Sequence, residues 1–394
     1  MKCVSLFSGA GGLDLGLEAA GFDIIASIEQ DADCCGTLIA NGRAEVIQSD
    51  ISVVDFEAIG AMGSLDLLAG GPPCQPFSKS ALWTHAGARG LSDPRSDTIR
   101  AYLKALSILK PRAFLLENVE GFSRWGGLET LKEGLAALSE DGLKYSVADG
   151  ILSSADFGVP QKRRRFLAVG IRDGERFKFP EPSHGAEAKP YLTAWDACAR
   201  SLDSTVEEAL EVKGRWADLL PTIPPGKNYL FHTSRGKGKS LFGWRTRFWS
   251  FLYKLDPQEP SPTIVANPSQ NSGPFHWQNR LLSTAELAAL QTFPSDYVFV
   301  GNRSSRQRQI GNAVPPLLAE RVGRALIVRL GGGVTATVRF ELTKADRAPE
   351  LAAPTPVPPK YWRYIGTHVD HPGAGRGPRP RTQAPATQPS EAQL

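Results

Sequence analysis

Cys74 stands in the stretch GGPPCQPFS, residues 70–78, between rigid prolines and flexible glycines. A thiolate adds readily to an electron-poor carbon. A free cysteine titrates near pH ~8.5, so attack at neutral pH needs backbone dipoles or an acid that protonates the substrate as sulfur adds. Glu117 can supply that acid. In FLLENVEG the apolar run 113–116 reads as a buried strand that carries Glu117 to the sheet edge shared with Cys74. A carboxylic acid there can hold a ring nitrogen and an exocyclic amine, stabilising the charge that develops on addition. Asn118 is placed to fix the neighbouring loop. A lone cysteine is usually a buried structural thiol, but the flanking prolines and the polar Gln75 and Ser78 disfavour a buried site here. VPQKRRRF, residues 159–166, adds cations. Strand alternation lets Gln161, Arg163 and Arg165 share one face, pointing at a base or phosphate, while Lys162 and Arg164 face elsewhere. Taken alone, a basic run of this kind reads as a solvated face.

Regular elements must bring these groups together. From residue 2 to about 171, short apolar runs alternate with helical periodicity: CVSLF, DLGLEAAG, DIIASI, a helix-like stretch to Asn41, then EVIQ. Further strands are expected at 65–69, 113–117, 145–151 and 166–171, with helices near 98–109 and 128–138. The product is an α/β fold, a twisted and mostly parallel sheet with helices on both faces. Polar groups at strand ends of such sheets line the ligand crevice, so Phe7, Glu29, Asp50, residues 70–78 and Glu117 converge despite their separation.

The first strand runs into LFSGAGGLDLG, residues 6–16, where Phe7, Ser8, Gly9, Gly11 and Gly12 open a helix. Small residues there let backbone approach a nucleotide-like ligand. The spacing is not the dinucleotide fingerprint, since Asp14 takes the place of its last glycine, and a pyrophosphate is disfavoured. Glu29 ends the next strand and can accept both hydroxyls of a ribose; Asp50 ends the third and can accept from an adenine amine. Adenosine without phosphates suggests S-adenosylmethionine. The loop by itself is equally compatible with a plain tight turn beside solvated acids.

Bulk properties narrow the class. The chain has 394 residues, 41% of them apolar, and no apolar run approaches the roughly 18 residues of a membrane span. A soluble, cytoplasmic protein with no membrane association is expected. Five cysteines without a CxxC pair or nearby histidines argue against zinc and against a disulfide framework. No metal is expected. Net charge is +4 overall, yet residues 211–254 hold nine Lys or Arg against two Asp or Glu, a stretch that calls for an anionic partner.

In order and spacing, FSGAGGLDLG, Glu29, Asp50, GPPCQPFS, ENV, the Gln161–Arg163–Arg165 triplet and RQIGNAVPP (308–316) resemble the cytosine-5 DNA methyltransferases. The resemblance covers about residues 2–172 and 261–330, with weaker matches at SPTI (261–264) and DPRSD (93–97). It implies the Rossmann-like fold of S-adenosylmethionine-dependent methyltransferases and an enzyme that swings its target cytosine out of duplex DNA. By the resemblance Cys74 is the nucleophile that adds to carbon 6 of cytosine and Glu117 the acid. Arg163 and Arg165 hold the flipped base or adjacent backbone. Phe7, Glu29, Asp50 and Ile51 contact the cofactor, and Asn312 closes its pocket from the returning C-terminal segment. Gln30 departs from the large apolar residue that many relatives carry, leaving more of the adenine contact to Ile51.

The expected organisation is a catalytic domain over 1–175, a smaller irregular target-recognition domain over 176–279, a segment over 280–330 returning to the catalytic domain, and a tail over 331–394. Helices are expected at 283–291 and 316–330. The tail, rich in Ala, Pro, Thr, Gln and Gly from about residue 348, is expected to be largely disordered and is assigned no task. Within 228–253, eight aromatics interleave with Arg235, Lys237, Lys239, Arg245 and Arg247. FWSFLY reads as packing; TSRGKGKS (233–240) reads as a loop that contacts phosphates or bases, or equally as a solvated one; Arg245 and Arg247 are candidates for reading the site. The resemblance suggests a prokaryotic, monomeric enzyme, paired in function with a restriction endonuclease acting on the same site. An RNA methyltransferase on the same core is disfavoured by the absence of a Cys-Phe-Thr tripeptide, and an inactive DNA-binding relative by the presence of Cys74 and Glu117.

Overall fold

The computed structural model describes residues 1–73, 97–124, 126–199, 209–347, 349–367 and 370. Cys74, Gln75, Ser78 and most of DPRSD lie outside the described residues.

Alternation builds the first half. Strands β1 (Lys2–Leu6), β2 (Asp23–Glu29), β3 (Val46–Gln48), β4 (Leu67–Gly70) and β5 (Ala113–Val119) are separated by helices α1 (Gly12–Ala20), α2 (Ala32–Ala40), α3 (Phe56–Gly60) and α4 (Asp97–Leu109). Helix α5 (Gly127–Glu140) leads to β6 (Tyr145–Ser153), the short β7 (Gln161–Lys162) and β8 (Arg164–Arg172). Seven strands form one sheet in the order β3-β2-β1-β4-β5-β8-β6. The β1 to β5 pairs are parallel; β8 alone runs antiparallel, between β5 and β6.

Both faces are apolar, as a covered parallel sheet requires. Cys3, Leu67, Ala69, Leu115 and Val169 point to one side, where they meet Leu17 of α1. Val4, Leu6, Leu68, Phe114 and Leu116 point to the other, against Ile99, Tyr102 and Leu106 of α4.

The later elements are α6 (Ala194–Cys198), β9 (Ser261–Pro262), α7 (Thr284–Leu290), α8 (Arg303–Asn312) and α9 (Pro316–Arg329). Helix α9 returns to the first face of the sheet, where Leu317, Leu318, Val322 and Leu326 join the core. The approach to α1 is too close for side chains: a Cβ on Gly16 would lie 2.4 Å from the Pro316 carbonyl, and one on Gly12 would lie 2.3 Å from that of Val314. β9 pairs in parallel with β7 and ties the middle of the chain to the sheet.

Residues 209–282 contain little regular structure. Their core is aromatic: Trp216, Tyr229, Phe242 and Phe275 pack with Leu219, Leu220 and Leu252. In FWSFLY, Leu252 is buried and Phe251 partly so, whereas Phe248 and Trp249 are more than half exposed, so the expectation of packing holds for only part of that run.

The expectation of disorder from about residue 348 fails for residues 349–367. Val357, Tyr361 and Tyr364 join the same aromatic core, and Tyr361 is buried on a short helical turn, Pro359–Tyr364. Composition concealed this, because three apolar side chains suffice when a preformed aromatic surface receives them. No helix among the described residues is long and apolar enough to cross a membrane.

Candidate active site

A cavity of about 850 Å³ opens at the carboxyl ends of the parallel strands. Its walls come from the β1–α1 loop, the ends of β2, β3, β4 and β5, and residues 308–314. Open α/β sheets place their ligands at this edge.

At one end sits Glu29. Its carboxylate accepts backbone N–H groups from Gly9 at 2.8 Å, Gln30 at 2.8 Å and Asp31 at 2.9 Å. Oε1 takes the last two of these and Oε2 only the first, so Oε2 keeps a lone pair for a hydroxyl in the cavity. Gly9 has φ +56 and a Cβ there would meet nothing within 4 Å, so its backbone faces open space. Gly11 and Gly12 serve differently: they let the loop pack on Leu38 and on the Val314 carbonyl. Phe7, also at positive φ, lines the cavity with Ser8, Gln30, Asp50 and Ile51. Asp50 accepts from the Ser52 N–H and hydroxyl at 2.8 and 2.6 Å, which hold its carboxyl below the usual range.

At the other end is Glu117, buried at the end of β5. Its Oε1 lies 2.8 Å from Nε of Arg165, and the two are neighbours because β8 runs antiparallel beside β5. Burial pushes the Glu117 carboxyl upward; Arg165 and then Arg163 oppose this without cancelling it. A raised carboxyl is one prepared to carry a proton. Gly71 admits this group, since a Cβ there would lie 2.9 Å from Glu117 Oε2. Asn118, also buried, donates to the Pro72 carbonyl at 2.9 Å and accepts from the Val119 N–H at 2.9 Å, fixing the chain that leads toward Cys74.

Two members of the basic triplet lie elsewhere than the sequence suggested. Gln161 is fully buried; its side chain accepts from Ile264 N–H at 3.2 Å and donates to the Leu290 carbonyl at 3.4 Å. Arg163 is also fully buried and donates to the carbonyls of Gly311 at 2.8 Å and Asn312 at 3.2 Å. Both residues clamp main chain behind the cavity. Gln161, Arg163 and Arg165 are buried at alternate positions, but residues 261–264 and 311–312 cover the first two. Arg165 alone of the three lines the cavity.

Asn312 lines the cavity from the end of α8. Beside it is Arg308, a residue not singled out from sequence, which pairs with Asp31 at 2.8 Å across from Glu29. The signal was present in RQIGNAVPP, but α8 is almost wholly polar and lacks the apolar spacing that would have exposed it as a helix. Asp14 was also missed as a structural group: fully buried, it accepts from Ser5 and Ser27 hydroxyls at 2.5 and 2.8 Å and ties α1 to β1 and β2.

The basic and aromatic candidates cluster away from the cavity. Arg235 and Arg245 lie over the Trp244 ring at 3.7 and 4.4 Å, and Arg247 lies 5.9 Å from the Phe251 centroid.

The profile of the C-5 cytosine-specific DNA methylase family matches residues 1–328. The chain is 36% identical over 369 residues to the Type II methyltransferase M.SacI of Streptomyces achromogenes, covering 84% of this chain and 94% of that one. It is 31% identical over 350 residues to the Type II methyltransferase M1.HphI of Haemophilus parahaemolyticus, covering 82% of this chain and 86% of the relative. A candidate DNA modification methyltransferase of an Escherichia coli prophage superposes with a TM-score of 0.59 at 22% identity, over 84% of this chain and 99% of that one, which shows a shared fold.

Proposed function

We infer the course of the reaction from the premise that the chain belongs to the C-5 cytosine-specific DNA methylase family and is a DNA cytosine-5 methyltransferase. The observation that carries the inference is the cavity itself. It has a recess walled by Glu29, Asp50 and Phe7 at one end and, at the other, a buried Glu117 whose carboxyl is pushed upward by burial.

S-adenosylmethionine fits the first end: Glu29 Oε2 offers an acceptor for a ribose hydroxyl, Asp50 an acceptor for an adenine amine, and Gly9 open backbone. When bound it supplies an electrophilic methyl group. Gln30, Ile51, Arg308 and Asn312 complete the enclosure.

Duplex DNA delivers a cytosine turned out of the stack at the second end, because carbon 6 is inaccessible within a base pair. Cys74, as thiolate, forms a bond from sulfur to carbon 6 while Glu117 gives its proton to ring nitrogen 3. The double bond shifts from carbon 5–carbon 6 to carbon 4–carbon 5, giving an enamine whose carbon 5 takes the methyl group. Water or hydroxide then takes the proton from carbon 5, the carbon 5–carbon 6 double bond re-forms as the thiolate leaves carbon 6, and the nitrogen 3 proton returns to Glu117. Arg165 holds the Glu117 carboxyl in place and adds positive charge beside the base. Arg163 acts at one remove, fixing the carbonyls that carry Asn312. Residues 1–175 with 280–330 form the catalytic unit, and 176–279 reads the DNA with Arg235, Arg245 and Arg247. The Type II relatives suit functional pairing with a nuclease that acts on the same site.

The test is methyl transfer from labelled S-adenosylmethionine to duplex DNA, with the target read by bisulfite sequencing. Duplex carrying 5-fluorocytosine at that target traps the sulfur adduct. Cys74→Ser is expected to abolish both turnover and adduct; a fully active Cys74→Ser protein overturns the scheme.

A further inference from the structure

Residues 355–367 and Asp370 of the C-terminal segment do not run free of the recognition region but lie against it. Tyr361 stacks on Trp216, ring centroids 5.6 Å apart and planes at 14°, and its hydroxyl donates to the Arg215 carbonyl at 2.8 Å. Tyr364 meets the same indole at 5.2 Å, and Thr355 N–H donates to the Pro221 carbonyl at 3.1 Å. Trp216 in turn contacts Phe242, within the basic loop, at 5.0 Å and Phe251, just beyond it, at 6.1 Å. The anchor is therefore continuous from the tail to the loop.

Beyond that anchor the tail touches the loop directly. Trp362 presents its ring to the Lys239 ammonium at 4.2 Å. Asp370 accepts from the Ser234 hydroxyl at 2.8 Å with one oxygen and from the Trp244 N–H at 2.8 Å with the other. Ser234 and Trp244 stand near the two ends of the basic loop, so one carboxylate closes it. It also sits beside the guanidinium–indole–guanidinium stack of Arg235, Trp244 and Arg245.

We infer that Asp370 and Trp362 are positioning residues for target recognition: the tail holds loop 233–247 in the shape that presents its arginines to duplex DNA. This rests on the reading of that loop as a DNA-contacting element. The chemistry supports it. A loop holding Arg235, Lys237, Lys239, Arg245 and Arg247 repels itself, and an acid bonded to both ends offsets that repulsion while leaving the outward donors available.

The experiment compares full-length Asp370→Ala, Asp370→Asn, Trp362→Ala and Arg245→Ala. It measures kcat, KM for duplex DNA, the ratio of kcat/KM on the true target to that on single-base variants, and affinity for S-adenosylmethionine. Asp370→Ala is expected to raise KM for DNA and lower discrimination by about tenfold, the equivalent of ~1.4 kcal/mol, with kcat and cofactor affinity unchanged. Asp370→Asn keeps an acceptor oxygen for Trp244 and a donor for Ser234 but not the charge, and should recover part of the loss; Trp362→Ala should show a smaller change of the same kind. If Arg245→Ala alters discrimination while both tail variants behave as wild type, the tail inference falls and the loop reading stands. If none of the variants alters KM or discrimination, both fall. A parallel loss of kcat and cofactor affinity in Asp370→Ala, not recovered by Asp370→Asn, marks a merely structural role and also overturns the inference.

Discussion

At the sheet edge, Glu29 and Glu117 are held by backbone: three N–H groups bind the first, and the β5–β8 ladder sets the second beside Arg165. In residues 209–282 the equivalent task falls to side chains, with Trp216, Tyr229 and Phe242 packed at steep ring angles into a core around which turns carry the cations. A ladder fixes a strand end through many cooperative bonds, so the cavity tolerates little displacement. An aromatic core accepts several ring geometries of similar energy, so its surface loops can be reshaped without unmaking the support. The lesson is a division of labour by construction: damage to the first region should cost rate, damage to the second should change choice.

Glu117→Gln is the sharpest challenge to that division. It keeps size and hydrogen bonding but cannot supply the proton, and kcat should fall by about 10²–10⁴ with cofactor affinity retained. The pH profile adds a signed check. Burial raises the Glu117 carboxyl, so the proton is present at low pH and is lost as pH rises through the shifted value, taking activity with it. Arg165→Ala removes the strongest opposing charge and should move that alkaline limb to higher pH, whereas Glu117→Gln should abolish the limb. Folding stability follows the same sign: a raised carboxyl favours the folded state at low pH and loses that contribution as pH rises. Gly71→Ala comes next. Its Cβ would lie 2.9 Å from Glu117 Oε2, and the displaced carboxyl should lower kcat by up to about 10² without altering KM for DNA. Arg245→Ala should act in the other region only, costing about 1–3 kcal/mol of discrimination at one base pair while kcat on the true target stays near wild type. A Gly71→Ala enzyme with altered site choice, or an Arg245→Ala enzyme that loses kcat alone, would break the division.

The two regions also differed in how far sequence revealed them. The strands, short apolar runs buried on both faces, and helices α4, α5, α7 and α9, which bury one face each, emerged close to their observed bounds. Glu29, Asp50 and Glu117 were legible because they lie at, just beyond and just before the carboxyl ends of those strands. Gln161 and Arg163 were not, since alternation says which residues share a face but not what later chain will cover it. Helix α8 escaped notice for want of apolar spacing, and with it Arg308. The tail escaped because its few rings dock on a surface assembled from distant residues, which no local pattern reports.

The glycine-lined contact between α1 and α9 has a consequence for synthesis. Gly12, Gly16 and Gly323 let the first helix made and one of the last lie nearly backbone to backbone, and residues 308–314 wall the cavity only once that pairing exists. A ribosome that has not yet passed residue 330 therefore holds a sheet with one face only partly covered and a recess open on one side. The nascent polypeptide closes its cavity only after α9 has been made and has met α1.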